Sequence, residues 1–329
     1  MFDLKPYFTA ARIAKRFEVA PPLATTVMDL LFPADVRANY ESPVIPVSDI
    51  KQVVGAVPVV RRGSASIPLR GEDTETSYIE PLPVRIHDEL SAVDLNNLKI
   101  ASPTTLEQWS NRKQLALRRA ARLTSEVLCA QAAFDGRIAY PLLQSNGSFT
   151  TYQVDYGAPL DHALAAAEKW DHADASLMIV YGLLEDMATD LDKAGYGGSK
   201  ITFAGRLAFS TVLKLIEATD KPKIPVLVEK DGSISLGGHT IRKMAETYYD
   251  PSTKTTKPKL ADKEVRMIAT GNTAFFYGPV DDLDANLHAM PMFIKPIKRD
   301  NPSGILLVGE SKPLPAVAPK ATVKATVLA

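Results

Sequence analysis

The chain has 329 residues, 46% of them hydrophobic, with 38 basic and 38 acidic side chains. Such a length can bury a sizeable core and exceeds what one domain ordinarily needs, while the balanced charge excludes a polybasic nucleic-acid binder or an acidic tail at the level of the whole molecule. The single cysteine, Cys129, excludes an internal disulfide framework and a cysteine-based zinc site.

Charges at Asp3, Lys5, Arg12, Lys15 and Arg16 leave no room for the apolar centre of a signal peptide. No stretch approaches about 18 consecutive apolar residues, so no membrane span is expected. Prolines recur from Pro6 to Pro83; each removes a backbone donor and biases its predecessor to extended geometry, which disfavours long helices there. One short amphipathic helix is expected in LATTVMDLLF, residues 23–32, with Leu23, Val27, Leu30 and Leu31 along one side. Two extended runs follow, 53–70 and 76–90, joined by the acidic GEDTET, and read as a long open hairpin. A two-stranded ribbon is marginal alone in water, so this hairpin and the arm before it need a partner surface.

Thr104 and Glu107 form a capping-box pattern after Pro103, and the residues beyond run without a helix breaker to Gly136. The expectation is one helix of roughly 30 residues, about 45 Å long, with Leu106, Trp109, Leu117, Ala120, Thr124, Leu128 and Gln131 near one face. Arg112, Lys113, Arg118, Arg119 and Arg122 make its middle basic. This stripe reads either as contact with an anion, nucleic-acid phosphate or a neighbour's acids, or as a solvated helix face; no reading motif or interleaved aromatics point to sequence-specific DNA recognition.

A strand, an Asn146-Gly147 turn and a second strand are expected over 137–157. Helical material follows from Asp161 to a glycine-rich stop at GYGGSK, then a strand and helix over 201–219. Residues 224–269 read mostly as β-structure with turns at Asp231-Gly232 and Gly237-Gly238 and a polar excursion over 250–264. Two strands flank a turn at 301–304, and the last residues alternate, with Val323, Ala325 and Val327 on one face, as a half-buried strand that must join a sheet begun elsewhere.

Catalytic and metal patterns fail on order or spacing. GYGGSK places Lys200 after Ser199, the wrong order for a phosphate-binding loop. DDLDANLH offers Asp282, Asp284 and Asn286 at alternating positions, but Leu287 and Phe293 stand where a calcium loop needs glycine and glutamate. Asp281, Asp282 and Asp284 read as a charged turn. His87, His162, His172, His239 and His288 read as lone solvated histidines, and Cys129 has no identifiable base. No catalysis and no cofactor are expected.

The order of parts (proline-rich arm, long hairpin, basic helix, short hairpin, α+β lobe, returning strands) resembles the lambda-type major capsid proteins of tailed phages, the capsid protein E family. DNPSGILLVGESKPLPAVAPKATVKATVLA is similar to that family's close. ITFAGRLAFSTVLKLIEAT, TYYDPSTKTTKPKLADKEVRMIATGN and PLATTVMDLLFP resemble its strand-then-helix, its lysine-bearing excursion and its short N-terminal helix. The resemblance implies an α+β tailed-phage major capsid fold. Its parts would be an N-terminal arm (1–48), an extended loop (49–100), a peripheral domain with the spine helix (101–172), an axial domain (173–284), return strands of the peripheral domain (285–312) and a terminal axial strand (313–329). It implies an icosahedral shell of hexamers and pentamers around double-stranded DNA bound without sequence specificity. Scaffolding, portal and decoration proteins would be partners, and the subunit would pass from host cytoplasm to virion capsid. One departure is that the glycine-rich segment of the family's loop is reduced to RRGSAS, with GEDTET replacing part of it. The candidates for inter-subunit or DNA contact are therefore Arg61, Arg62, Arg70, Glu72, Asp73 and Glu75 in the loop and Arg112, Arg118, Arg119 and Arg122 on the helix. Alternatives are an encapsulin-like nanocompartment shell protein, a phage tail structural protein and an α+β enzyme.

Overall fold

The structure, a computed structural model, describes residues 25–46, 78–98 and 103–329. The arm up to residue 22, the first run of the long hairpin, and Arg61, Arg62, Arg70, Glu72, Asp73 and Glu75 lie outside the described residues. In chain order the first elements are α1 (Thr26–Leu31), β1 (Arg37–Asn39), β2 (Ile45–Pro46), β3 (Tyr78–Ile79), β4 (Val84–Ser91), α2 (Ala92–Leu98) and α3 (Pro103–Asp135). They continue as β5 (Arg137–Leu143), β6 (Phe149–Asp155), β7 (Leu160–Asp161), α4 (Leu177–Lys193), β8 (Lys200–Gly205) and α5 (Arg206–Glu217). Then come β9 (Val226–Val228), β10 (Ile234–Leu236), β11 (His239–Met244), β12 (Thr247–Asp250), β13 (Thr255–Pro258) and β14 (Glu264–Ala269). The last are β15 (Thr273–Tyr277), β16 (Phe293–Asp300), β17 (Ser303–Ser311), β18 (Pro313–Val317) and β19 (Thr322–Thr326).

The 33 residues of α3 form the longest element, as the unbroken run after Pro103 predicts. Its buried side follows Gln114, Leu117, Ala121, Ser125, Leu128 and Ala132, spaced three or four apart so that they share a face. The expected face is right at Leu117 and Leu128 but wrong at Ala120, which is exposed; an alanine-rich stretch has no strong side, and its neighbours choose one. From Ser125 to Ala130 every residue is buried, so the C-terminal part of α3 lies inside the molecule. Gly136 stops it at φ 65, with its N–H on the carbonyl of Ala132 at 3.1 Å. The end is also capped from a distance. Arg266 Nε donates to the Phe134 carbonyl at 2.9 Å and Thr322 Oγ1 to that of Ala133 at 3.1 Å, placing a cation and a hydroxyl where the helix dipole is negative.

Those two residues belong to a seven-stranded sheet of order β7-β19-β14-β8-β11-β10-β9. Val265, Met267, Val323 and Ala325 on one face meet Val180 and Leu184 of α4 and Phe209 and Val212 of α5. On the other face Phe203 meets Phe134 of α3, ring centroids 5.4 Å apart. Period-two alternation thus serves two helical layers at once. The terminal strand β19 lies inside this sheet, antiparallel to β14 and parallel to β7, with Val323, Ala325 and Val327 buried as their alternation predicts.

Two three-stranded sheets complete the framework, β16-β17-β4 and β1-β15-β18. The second expected run of the long hairpin supplies β4, which pairs with β17. Ile45 pairs with Ile79 and Pro46 with Tyr78, so the chain leaves at residue 46 and re-enters at residue 78 side by side. The hairpin β5–β6 forms as read, its loop closed by Asn146 Oδ1 accepting the Ser148 N–H at 2.9 Å and by Gly147 at φ 81.

Three local expectations need correction. The polar excursion after Asp250 is part of the hairpin β12–β13, which Lys257 ties back to Asp250 at 2.5 Å. Only Leu177–Lys193 of the expected helical stretch is α-helix; the alanines before it make a short 3-10 turn, Ala166–Glu168. Helix α2 follows directly on β4, where the extended run was read to end.

Candidate inter-subunit surfaces

The four arginines of α3 divide into two pairs. At about 100° per residue, Arg112 and Arg119 point within about 20° of one another, and Arg118 and Arg122 point about 60–120° away from them. Arg112 and Arg119 are exposed. Arg118 is only 5% exposed, and Arg122 is committed within the subunit, with Nη2 on Asp29 at 2.7 Å and Nε on Thr25 Oγ1 at 3.1 Å. The expected four-residue stripe is therefore two outward arginines and two inward ones, because Arg118 and Arg122 lie on the flank nearest the buried side of α3, at Leu117, Ala121 and Ser125, and Arg112 and Arg119 lie opposite it. Lys113 turns to Asp88 of β4 at 2.8 Å.

Arg122 belongs to a group of charges around α1. Arg37 Nε donates to the Phe32 carbonyl at 2.7 Å and its Nη2 reaches Asp29 at 3.3 Å. Glu126 of α3, fully buried, accepts the backbone N–H groups of Val27 at 3.0 Å and Met28 at 2.7 Å. A carboxylate at a helix N-terminus satisfies donors that have no partner within the helix and complements its dipole. Lys259 Nζ sits 2.7 Å from Glu126 and also meets Glu246, which accepts the Thr26 hydroxyl. The sequence reading missed this junction. Its only signal was an acid, Glu126, placed directly before the apolar run Val-Leu-Cys-Ala.

Catalytic and metal candidates stay apart. Cys129 is fully buried, and burial first, then the Glu126 carboxylate, pushes its thiol well up and keeps it neutral. The histidines are not all solvated alone: His162 Nδ1 lies 2.8 Å from Asp190 and His239 Nε2 3.1 Å from Glu185, each half-buried beside a carboxylate on α4. Asp282 and Asp284 converge on Lys295 at 2.6 and 2.9 Å, and Asp281 pairs with Lys312 at 2.7 Å, so the acidic turn is neutralised by lysines. Among the described residues no group of three or more His, Cys, Asp or Glu is placed to hold a metal, and no helix is long and apolar enough to cross a membrane.

A 33-residue helix whose C-terminal part is buried in the body of the molecule, a seven-stranded sheet that takes in the terminal strand, and an insertion whose two ends leave side by side define a tailed-phage major capsid fold. The chain belongs to the phage major capsid protein E family, whose model matches residues 9–327. Members are structural subunits of the phage head. Among solved structures, a protein assigned as the capsid protein of an E. coli CFT073 prophage is matched at TM-score 0.60 and 18% identity over 92% of each chain. A phage-related protein from Bordetella bronchiseptica RB50 follows at TM-score 0.54 and 11% identity over 97% of each chain. The SrpI encapsulin of Synechococcus elongatus PCC 7942 is matched at TM-score 0.47 and 11% identity over 96% of this chain and 95% of that one, a level that carries no argument for a nanocompartment. No curated protein matches the chain in sequence.

Proposed function

We propose that this major capsid protein assembles into hexamers and pentamers that close an icosahedral shell around double-stranded DNA, with assembly in the host cytoplasm. Scaffolding and portal proteins, and a decoration protein on the finished shell, are the further partners of this reading, and catalysis has no part in it. The observation that carries it, beyond family membership, is the root of the insertion at β2 and β3. Pro46 and Tyr78 are paired there, and the sequence between them reads as part of a two-stranded ribbon that is marginal alone in water. Ordering such a segment costs conformational entropy, and a ring of identical copies offers each one a neighbouring surface.

The division into arm, extended loop, peripheral and axial parts is supported by β16-β17-β4 forming a sheet separate from the seven-stranded one that carries α4 and α5. One strand falls across the expected boundaries: β7, within 101–172, edges the seven-stranded sheet. Arg112 and Arg119 are the helix positions that we assign to charge contact outside the subunit, on DNA phosphate or a neighbour's acids, and the loop charges Arg61, Arg62, Arg70, Glu72, Asp73 and Glu75 are assigned to inter-subunit contact.

Expression of the full chain with sedimentation and electron microscopy tests the reading. Closed particles are expected, and removal of residues 1–22 should leave a folded subunit that assembles poorly. A stable monomer at high concentration, even with a scaffolding protein present, would overturn it.

A further inference from the structure

The connection from β15 to β16 is built more rigidly than a surface loop needs. Pro279 and Ala289 bridge its base, and the Ala289 N–H donates to Glu41 Oε2 at 3.0 Å. Asp282 accepts the Asp284 N–H at 2.9 Å, Lys295 holds both aspartates, and Val280 and Ala285 pack with Phe293 in a small core of their own. Against this order, the apex presents leucines to solvent: Leu283 is 83% exposed and Leu287 54%. Leu287 also has φ 57, directly after Asn286 at φ 52. A left-handed conformation is disfavoured for any residue with a Cβ and suits glycine, so folding supplies no reason for leucine here.

A second surface has the opposite character. The outward face of α3 carries Arg112, Ala116, Arg119, Ala120 and Leu123, the last 50% exposed. Neither arginine forms an ion pair with another described residue. Leu117 and Ala121, on the reverse side of the helix, pack with Met292 and Ile294 at the start of β16. Within one copy it is therefore the reverse side of α3, not its outward face, that packs on the residues following the loop.

We propose, on the basis of the capsid reading above, that the Val280–Ala289 loop is a docking knob that seats on the outward face of α3 in a second copy of this chain. The leucines would cover Ala116, Ala120 and Leu123, and the exposed sides of Asp281 and Asp284 would meet Arg119 and Arg112. Lys312 and Lys295 already hold these aspartates, yet their side chains remain 63% and 73% exposed. The contact joins unlike surfaces, and such contacts close into rings when the rotation permits.

Cys129, the single cysteine, is fully buried, so introduced cysteines can be followed against a silent background. Oxidised particles of the Leu123→Cys, Leu287→Cys double variant should show a ladder of covalently linked subunits that neither single variant shows. Leu287→Gly should raise the melting temperature of the unassembled subunit while raising the concentration needed for assembly about tenfold or more, through loss of apolar burial. Intact shells without the ladder, or Leu287→Gly shells forming at the unmodified concentration, would overturn the knob and leave the capsid reading standing. An unmodified chain that forms no particles would overturn both.

Discussion

Glu126 and Lys259, 133 residues apart in the chain, meet at 2.7 Å with side chains 0% and 6% exposed. The pair joins three parts of the molecule: α3, the start of α1, and the segment after β13. Its geometry also places the beginning of α1, where the chain emerges from residues outside the described structure, against the buried half of α3.

Removal of Lys259 leaves Glu126 buried without a counter-ion, and removal of Glu126 strips Lys259 of its buried partner, leaving Glu246, and leaves the Val27 and Met28 N–H groups without their acceptor. Glu126→Ala and Lys259→Ala should each destabilise the unassembled subunit by roughly 3–5 kcal/mol, measured by denaturant unfolding. The double variant should lose much less than the sum of the two. Strict additivity would show that the two charges act independently.

Gly136 is the position least tolerant of a side chain at the end of α3. A Cβ there would lie 2.1 Å from the Gly157 carbonyl oxygen, at a φ of 65. Gly136→Ala should lower stability by more than the roughly 1–2 kcal/mol of the left-handed backbone alone, because the contact is with main chain that cannot rotate away. Melting of the purified variant measures it, and an unchanged melting temperature would contradict the reading.

Asp250 on the β12–β13 hairpin is held well below the ordinary carboxylate value of 3.8, first by the Lys257 ammonium and then by the Ser252 hydroxyl. A depressed folded-state value means that the stabilisation is complete above the unfolded value and lost as pH falls toward the folded one. Asp250→Asn should therefore melt below the unmodified subunit at neutral pH, with a gap that stays constant down to about pH 5 and narrows below 3.8. A gap independent of pH would assign the effect to hydrogen bonding alone.

The two arginine pairs should separate in experiment. Arg112→Gln with Arg119→Gln removes exposed charges, so the isolated subunit should melt unchanged while assembly weakens, most at low salt, where charge is least screened. Arg122→Gln removes contacts to Thr25 and Asp29 and should instead destabilise the unassembled subunit by about 1 kcal/mol, with hydrogen bonds to charged groups worth roughly 1.5–3 and partial solvent access reducing that. Identical behaviour of the two variants would mean that the division of the stripe is wrong.

Local chemistry in the sequence was enough for most of the elements. The unbroken run from Pro103 to Gly136 could only be a long helix, Asn146-Gly147 could only close a hairpin cleanly, and the alternation of Val323, Ala325 and Val327 required a sheet partner. The order of these pieces also carried the resemblance to the capsid family. Tertiary structure alone decided which sheet the last strand enters, which side of α3 is buried, and that Arg118 and Arg122 turn inward while Arg112 and Arg119 do not. It alone brought Glu126 to Lys259 and held Leu283 and Leu287 in solvent. The reason is physical: periodicity and turn residues act over a few positions, whereas burial and ion pairing depend on which distant segments come to lie alongside, and an alanine-rich helix leaves that choice to its neighbours.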